Sequence, residues 1–182
     1  MTLPHLPIND MADRHPGLTL EIAACYLQAA RVCLDRHHVP PTEFMLKDGN
    51  AGDFRTIVAW EAADDRCRNA WANEIDATEA GAYAVALAAA ELAGGFVAVR
   101  RAETGTGADY YIAPSDDDPG EDLEGCIRFE VSGTDRGAAS EVAQRLRDKL
   151  RQAAAGASNL PAMAGVVGFR AQLVMLQVLD TI

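Results

Sequence analysis

Positive charge is scarce in this sequence. Its 182 residues carry 16 Lys and Arg against 27 Asp and Glu, a formal net charge of −11. A chain of that sign does not hold a nucleic-acid backbone by its overall field. It suits a protein that meets a basic partner. Aromatic residues are also few, 6% of a chain that is 49% hydrophobic. Much of the apolar content is Ala, so helices are expected to pack closely around a core poor in rings. The four cysteines, Cys25, Cys33, Cys67 and Cys126, form no C-x-x-C pair and have no His at zinc spacing. They read as small buried hydrophobes of a reducing compartment. No apolar run reaches the roughly 18 residues of a membrane-spanning helix. The stretch MTLPHLPINDMADRHPG lacks the basic and apolar regions of a signal peptide, and the cytoplasm is the expected location.

Residues 1–16, with three prolines, read as an irregular arm, and residues 17–182 as a single domain. A helix is expected from Gly17 to about Arg36, where Ile22, Cys25, Tyr26, Ala29 and Cys33 recur at helical steps. His37 and His38 suit the dipole at its end, and Pro40-Pro41 stop it. TEFMLK (42–47) and FRTIVAW (54–60), joined by DGNAGD, predict a β-hairpin. One long helix is expected from about Asp64 to Ala93. Trp71, Ile75, Ala82, Val85, Ala89 and Leu92 mark its buried stripe, and Gly94-Gly95 end it. Short strands follow at 96–101, 109–113 and 126–132. The turn ETGTG separates the first two, and the acidic loop PSDDDPGEDLEG the last two. An amphipathic helix from Gly137 to Ala153 turns Ala139, Val142, Ala143, Leu146 and Leu150 inward. Apolar strand material runs from Met163 to Leu179. The expected fold class is α/β (α+β): an N-terminal helix and β-hairpin, then helix, three strands, helix and strand.

IRFEVSG, Ile127 to Gly133, poses the functional question. A carboxylate buried without a partner costs several kcal/mol, so Glu130 must be exposed, paired or bound to a cation. Period-two alternation puts Glu130 and Ser132 on one face, opposite Phe129 and Val131. Asp109 opens the preceding strand, so the two carboxylates can converge. A third acid, Glu79, lies on the long helix, with Ala82, Ala86 and Ala90 along its face to let the helix approach a sheet. Three acids from three successive elements suit an oxygen-rich site for Mg²⁺ or Mn²⁺.

The helix–strand–strand–strand–helix–strand order, with D…E-x-S across the middle strands, resembles the PD-(D/E)XK nuclease superfamily and its restriction-endonuclease-like αβββαβ core. The likeness covers residues 64–179. It implies that Asp109, Glu130 and the carbonyl of Val131 are metal ligands, with Glu79 as the helical acid of many members. It implies metal-dependent phosphodiester hydrolysis. The superfamily's Lys, two residues after the Glu, is Ser132 here, and a hydroxyl neither activates water nor offsets negative charge well. Some members take the Lys from the following helix. Lys149 lies about 60° from Leu146 around that helix and is the candidate, ahead of Arg145. GTGADYY and RFEVSG also resemble an uncharacterised bacterial protein family, which supplies no function.

Plain structural roles stand beside these. Glu130 pairs with Arg128 or Arg145, Asp109 closes a turn, Glu79 is a surface acid, Ser132 bonds the turn SGTDRG, and Lys149 is solvated. Of Tyr110 and Tyr111, one ring is core and the other surface. Gln144 and the turn Gly105 to Gly107 are minor candidates for placing substrate. Two functions of different class follow. One is a divergent nuclease that acts with a basic partner. The other is a non-catalytic acidic protein-binding module on the same fold, antitoxin-like or a defence-system accessory. A homo-oligomer built on the 42–60 hairpin is a third. Asp116, Asp117, Asp118, Glu121, Asp122 and Glu124 repel a phosphate backbone, which favours a protein partner over nucleic acid alone.

Overall fold

The computed structural model describes residues 2–116, 122–156 and 158–179. Three of the acidic-loop residues, Asp117, Asp118 and Glu121, lie outside that range. The elements are α1 (Leu20–Asp35), β1 (Thr42–Asp48), β2 (Gly52–Val58), α2 (Asp65–Ala70), α3 (Glu74–Gly94), β3 (Phe96–Arg101), β4 (Tyr110–Pro114), β5 (Ile127–Thr134), α4 (Ala139–Ala154), β6 (Ala162–Gly168) and β7 (Leu173–Val178). The strands form one seven-stranded sheet in the order β2-β1-β7-β6-β5-β4-β3. Strands β3, β4 and β5 are an antiparallel meander. The α4 crossover returns the chain parallel to β5 as β6. The apolar tail is two strands rather than one, because β6 and β7 turn back on each other through Gln172, whose φ is 51°. The 42–60 hairpin extends the same sheet, since β1 pairs parallel with β7. The class is α+β, with a mixed sheet.

Helices cover both sheet faces. Met163 and Val167 of β6 join the α1/α3 core, and Ala164 and Val166 join the α4 core, as period-two alternation requires. On the α3 face the small-residue stripe does what its spacing predicts: Ala82, Ala86 and Ala90 are fully buried. A Cβ at Gly133 of β5 would sit 2.9 Å from the Ala82 Cβ and 3.0 Å from the Thr78 carbonyl oxygen. A Cβ at Gly81 would meet the Ala30 nitrogen of α1 at 2.9 Å. Helix α3 is wedged between α1 and the sheet at distances that larger side chains forbid.

The expected 64–93 helix is two helices. The first ends at Ala70, where Trp71 N–H donates to the Cys67 carbonyl, and Asn73 starts the second, its side chain accepting from the backbone N–H groups of Ile75 and Asp76. That cap offsets orphan donors that a continuous helix would not have. Ile75 therefore sits in the first turn of α3 and is 75% exposed, not in the buried stripe.

The described part of the arm, residues 2–16, is a strap. Leu6, Ile8 and Met11 are buried in the main core. Leu6 N–H donates to the Ile57 carbonyl at 2.8 Å, and Ile57 N–H to the Pro4 carbonyl at 2.9 Å, which occupies the free edge of β2. Gly17 N–H donates to the Ala98 carbonyl at 2.8 Å on the opposite outer strand, β3. One segment thus blunts both exposed edges, which otherwise invite strand addition. His15, fully buried, accepts the Ala98 N–H at Nδ1 (2.9 Å), so its Nε2 carries the proton it shares with Glu91 (2.9 Å).

Candidate functional site

Strand β5 organises the site. Arg128 N–H donates to the Pro161 carbonyl, on the β6 side, whereas the Phe129 carbonyl accepts from Asp109 N–H, on the β4 side. Odd-numbered residues of β5 thus direct their backbone groups toward β4. Strand β4 begins at Tyr110, opposite Phe129. Beyond that pair Val131 has no strand partner on this side, and the Asp109 side chain takes its place: Oδ2 accepts the Val131 N–H at 2.8 Å. The Val131 carbonyl points past the same ladder end.

Glu130 is buried on the α4 face, and Lys149 reaches it from α4, with Nζ 2.6 Å from Oε1. Lys149 is steadied by the Gln152 side-chain oxygen at 3.3 Å. The lysine does not float in solvent, and neither Arg128 nor Arg145 is the partner of Glu130. Arg145 lies 3.5 Å from Glu141 on its own helix. Arg128 is buried and donates to the carbonyls of Thr106, Ala153 and Leu160 at 3.1–3.2 Å. It rivets the Gly105–Gly107 turn to the last turn of α4, where a cation meets orphan carbonyls and the negative end of the helix dipole.

Asp109 is held from the other side of the sheet. Its Oδ1 accepts from the Tyr83 hydroxyl of α3 at 2.8 Å, and the Arg101 Nη2 stands 3.6 Å away. Burial, and next the Asp109 charge, raise the Tyr83 hydroxyl's pKa, so it stays protonated and donates. Arg101 lies over the rings of Tyr83 and Tyr110, at 4.7 and 4.8 Å. Tyr110 in turn bonds the Tyr26 hydroxyl of α1 at 2.7 Å.

Two clefts meet at Lys149 and Glu130. One, of about 570 Å³, is lined by Arg101, the Gly105 and Gly107 turn, Asp109, Glu130 and Gly156. The other, of about 550 Å³, is walled by Glu79, Val131, Ser132, Glu141 and Lys149. Asp109 and Glu130 therefore share a cleft, and Glu79 is exposed in its neighbour. Among the described residues no three His, Cys, Asp or Glu side chains converge as a metal cluster. The first cleft offers the carboxylates of Asp109 and Glu130, and the Val131 backbone lies in the wall of the second, so the available donors are all oxygen. That chemistry fits a hard cation such as Mg²⁺ or Mn²⁺.

Other expected roles move. The Ser132 side chain makes no hydrogen bond among the described residues; Thr134 ties the SGTDRG turn instead, accepting from Gly137 N–H at 3.0 Å. Gln144 bonds Asp148 and Arg147 on the exposed side of α4, away from both clefts. Both tyrosines of β4 are buried, Tyr110 in the main core and Tyr111 in a small cluster with Ala113 and Cys126. The hairpin carries none of the large exposed hydrophobics, which are Leu20, Ile22, Val39 and Ile75. Tyr83 and Arg101 were not singled out by sequence pattern. Tyr83 sits one helical turn beyond Glu79 and was detectable from that spacing; Arg101 gave no local signal. No helix among the described residues is long and apolar enough to cross a membrane. No protein-family model, curated protein or solved structure matches this chain.

Proposed function

We propose that the chain is a divergent PD-(D/E)XK-like protein whose Asp109, Glu130 and Lys149 serve metal-dependent hydrolysis of a phosphodiester in nucleic acid, with a basic partner helping to bring the substrate. The observation that carries this is the reach of Lys149 from α4 to 2.6 Å from Glu130. It supplies the cation that Ser132 does not. The meander β3-β4-β5 followed by α4 and a parallel β6 supports the same reading, as does the opposition of Asp109 and Glu130 across the end of β4.

Asp109, Glu130 and the Val131 carbonyl are the groups that would hold Mg²⁺ or Mn²⁺. Glu79 lines the other cleft and is not one of these ligands. A divalent cation supplies Lewis-acid polarisation of a phosphoryl oxygen and a more acidic bound water. Lys149 offsets negative charge that grows on the phosphoryl group. The Val131 N–H and the Tyr83 hydroxyl fix the orientation of Asp109.

A second reading has its own support. Both Asp109 oxygens already accept hydrogen bonds, and Arg101 stands beside them. A carboxylate satisfied in this way suits a non-catalytic acidic module that binds a protein. Cleavage of a single-stranded oligonucleotide in Mn²⁺ separates the two. Hydrolysis that falls at least 100-fold in both Glu130→Gln and Lys149→Met supports the enzyme. Activity absent from wild type, or unchanged in both variants, supports the module.

A further inference from the structure

We propose that Arg101 binds the phosphate of the phosphodiester substrate, an inference that rests on the hydrolytic reading above. Arg101 ends β3 at the mouth of the cleft that holds Asp109 and Glu130. Its guanidinium is not used up by its neighbours. Nη2 donates to the Tyr83 hydroxyl at 3.1 Å, the guanidinium also interacts with the Tyr110 hydroxyl, and its approach to Asp109, at 3.6 Å, is longer than a hydrogen bond. Nε and Nη1 donate to no carboxylate or carbonyl among the described residues, and the side chain is 50% exposed. The rings of Tyr83 and Tyr110 fix its position from behind. A planar fork, anchored on aromatic faces and open on its other edge, is arranged for bidentate recognition of a phosphate, with little side-chain freedom left to lose on binding.

The charges of the cleft point the same way. Glu103, the third acid lining it, is already tied to Arg100 at 2.5 Å and to the Tyr111 hydroxyl at 3.2 Å. Glu130 is tied to Lys149. Arg101, half-exposed and 3.6 Å from Asp109, is then the cation on the Asp109 side of the cleft. A phosphate held by Arg101 would lie in the cleft that Asp109 and Glu130 line. This local arrangement offers a small anion a seat on a chain whose overall charge of −11 repels it.

The test is binding of thymidylyl-(3′,5′)-thymidine in Ca²⁺, followed by its ³¹P resonance, to wild type, Arg101→Gln and Arg101→Lys. Mn²⁺ calorimetry is run on the same three proteins. The expected result is saturable binding by wild type, at least tenfold weaker in Arg101→Gln and intermediate in Arg101→Lys, which keeps the charge but not the fork. Mn²⁺ affinity in Arg101→Gln should equal or exceed that of wild type, because a cation beside Asp109 has gone. Dinucleotide binding that depends on Arg101 in a protein that takes no Mn²⁺ supports the phosphate site and removes the hydrolytic reading. Binding equal in wild type and Arg101→Gln overturns the phosphate role and leaves the metal site standing. Loss of Mn²⁺ binding in Arg101→Gln also overturns it, since Arg101 would then merely support Asp109. No dinucleotide binding by wild type overturns it outright.

Discussion

The two faces of the sheet are built on different terms. The α3 face is closed by small and apolar groups at short range: Ala82 against Gly133, and Phe129 and Val131 in a continuous core. The α4 face carries charge at its centre, with Arg128 and Glu130 alternating along β5 and Lys149 descending from the helix. Close packing fixes one face and charge pairing the other. The comparison shows why a carboxylate is tolerated in the middle of IRFEVSG. Phe129 and Val131 anchor the strand on one side, which leaves the other side free to hold a costly ion pair in place.

Substitutions on the two faces should differ in size. The largest effect belongs to the α3 face. Phe129→Ala removes a fully buried ring and should cost about 3–5 kcal/mol in urea unfolding. A loss below about 1 kcal/mol would mean that this face is not the anchor. On the α4 face, Lys149→Met leaves Glu130 buried without its cation. Because Lys149 keeps 25% of its side-chain surface exposed, the cost should be about 1–3 kcal/mol. The double variant Glu130→Gln/Lys149→Met should recover part of it. A purely additive pair would show that the contact carries no coupling.

The strap gives a smaller, pH-dependent effect on the α3 side. Burial lowers the pKa of His15 against the raising influence of Glu91. The unfolded chain therefore binds the proton more readily, and stability rises with pH through that window. The His15 contribution should be complete above about pH 6.5, the ordinary imidazole value, and fall away as the solution is acidified below it. Urea midpoints of wild type and His15→Gln should converge on acidification. Parallel profiles would show that the buried ring does not titrate with unfolding. The smallest effect should come from Arg55→Ala, which breaks only the exposed pair with Glu43, with a change within about 0.5 kcal/mol.

Much of the framework was legible because local patterns were strong. The strands expected at 42–47, 96–101 and 126–132 are found at 42–48, 96–101 and 127–134, and the close approach of α3 follows from the spacing of Ala82, Ala86 and Ala90. Lys149 was legible as well, since its angle from Leu146 places it at the border of the buried stripe. Failures occurred where a single side chain overrode a pattern. Asn73 split a helix whose periodicity continued past it. The strap was illegible because its bonds run to Ile57 and Ala98, far away in sequence, with no repeat to announce them. The partners of Asp109 were hidden for the same reason: Tyr83 and Arg101 come from two other elements, and only the packed structure brings them to one carboxylate.

Asp109 and Glu130 are proposed to form one cation site beside Lys149. Calorimetric titration of Mn²⁺ into wild type, Asp109→Asn and Glu130→Gln tests it most directly. The account predicts saturable binding by wild type and its loss in both variants. Wild type that takes no Mn²⁺, or variants that bind as wild type does, would contradict it and make Glu130 a structural acid paired with Lys149.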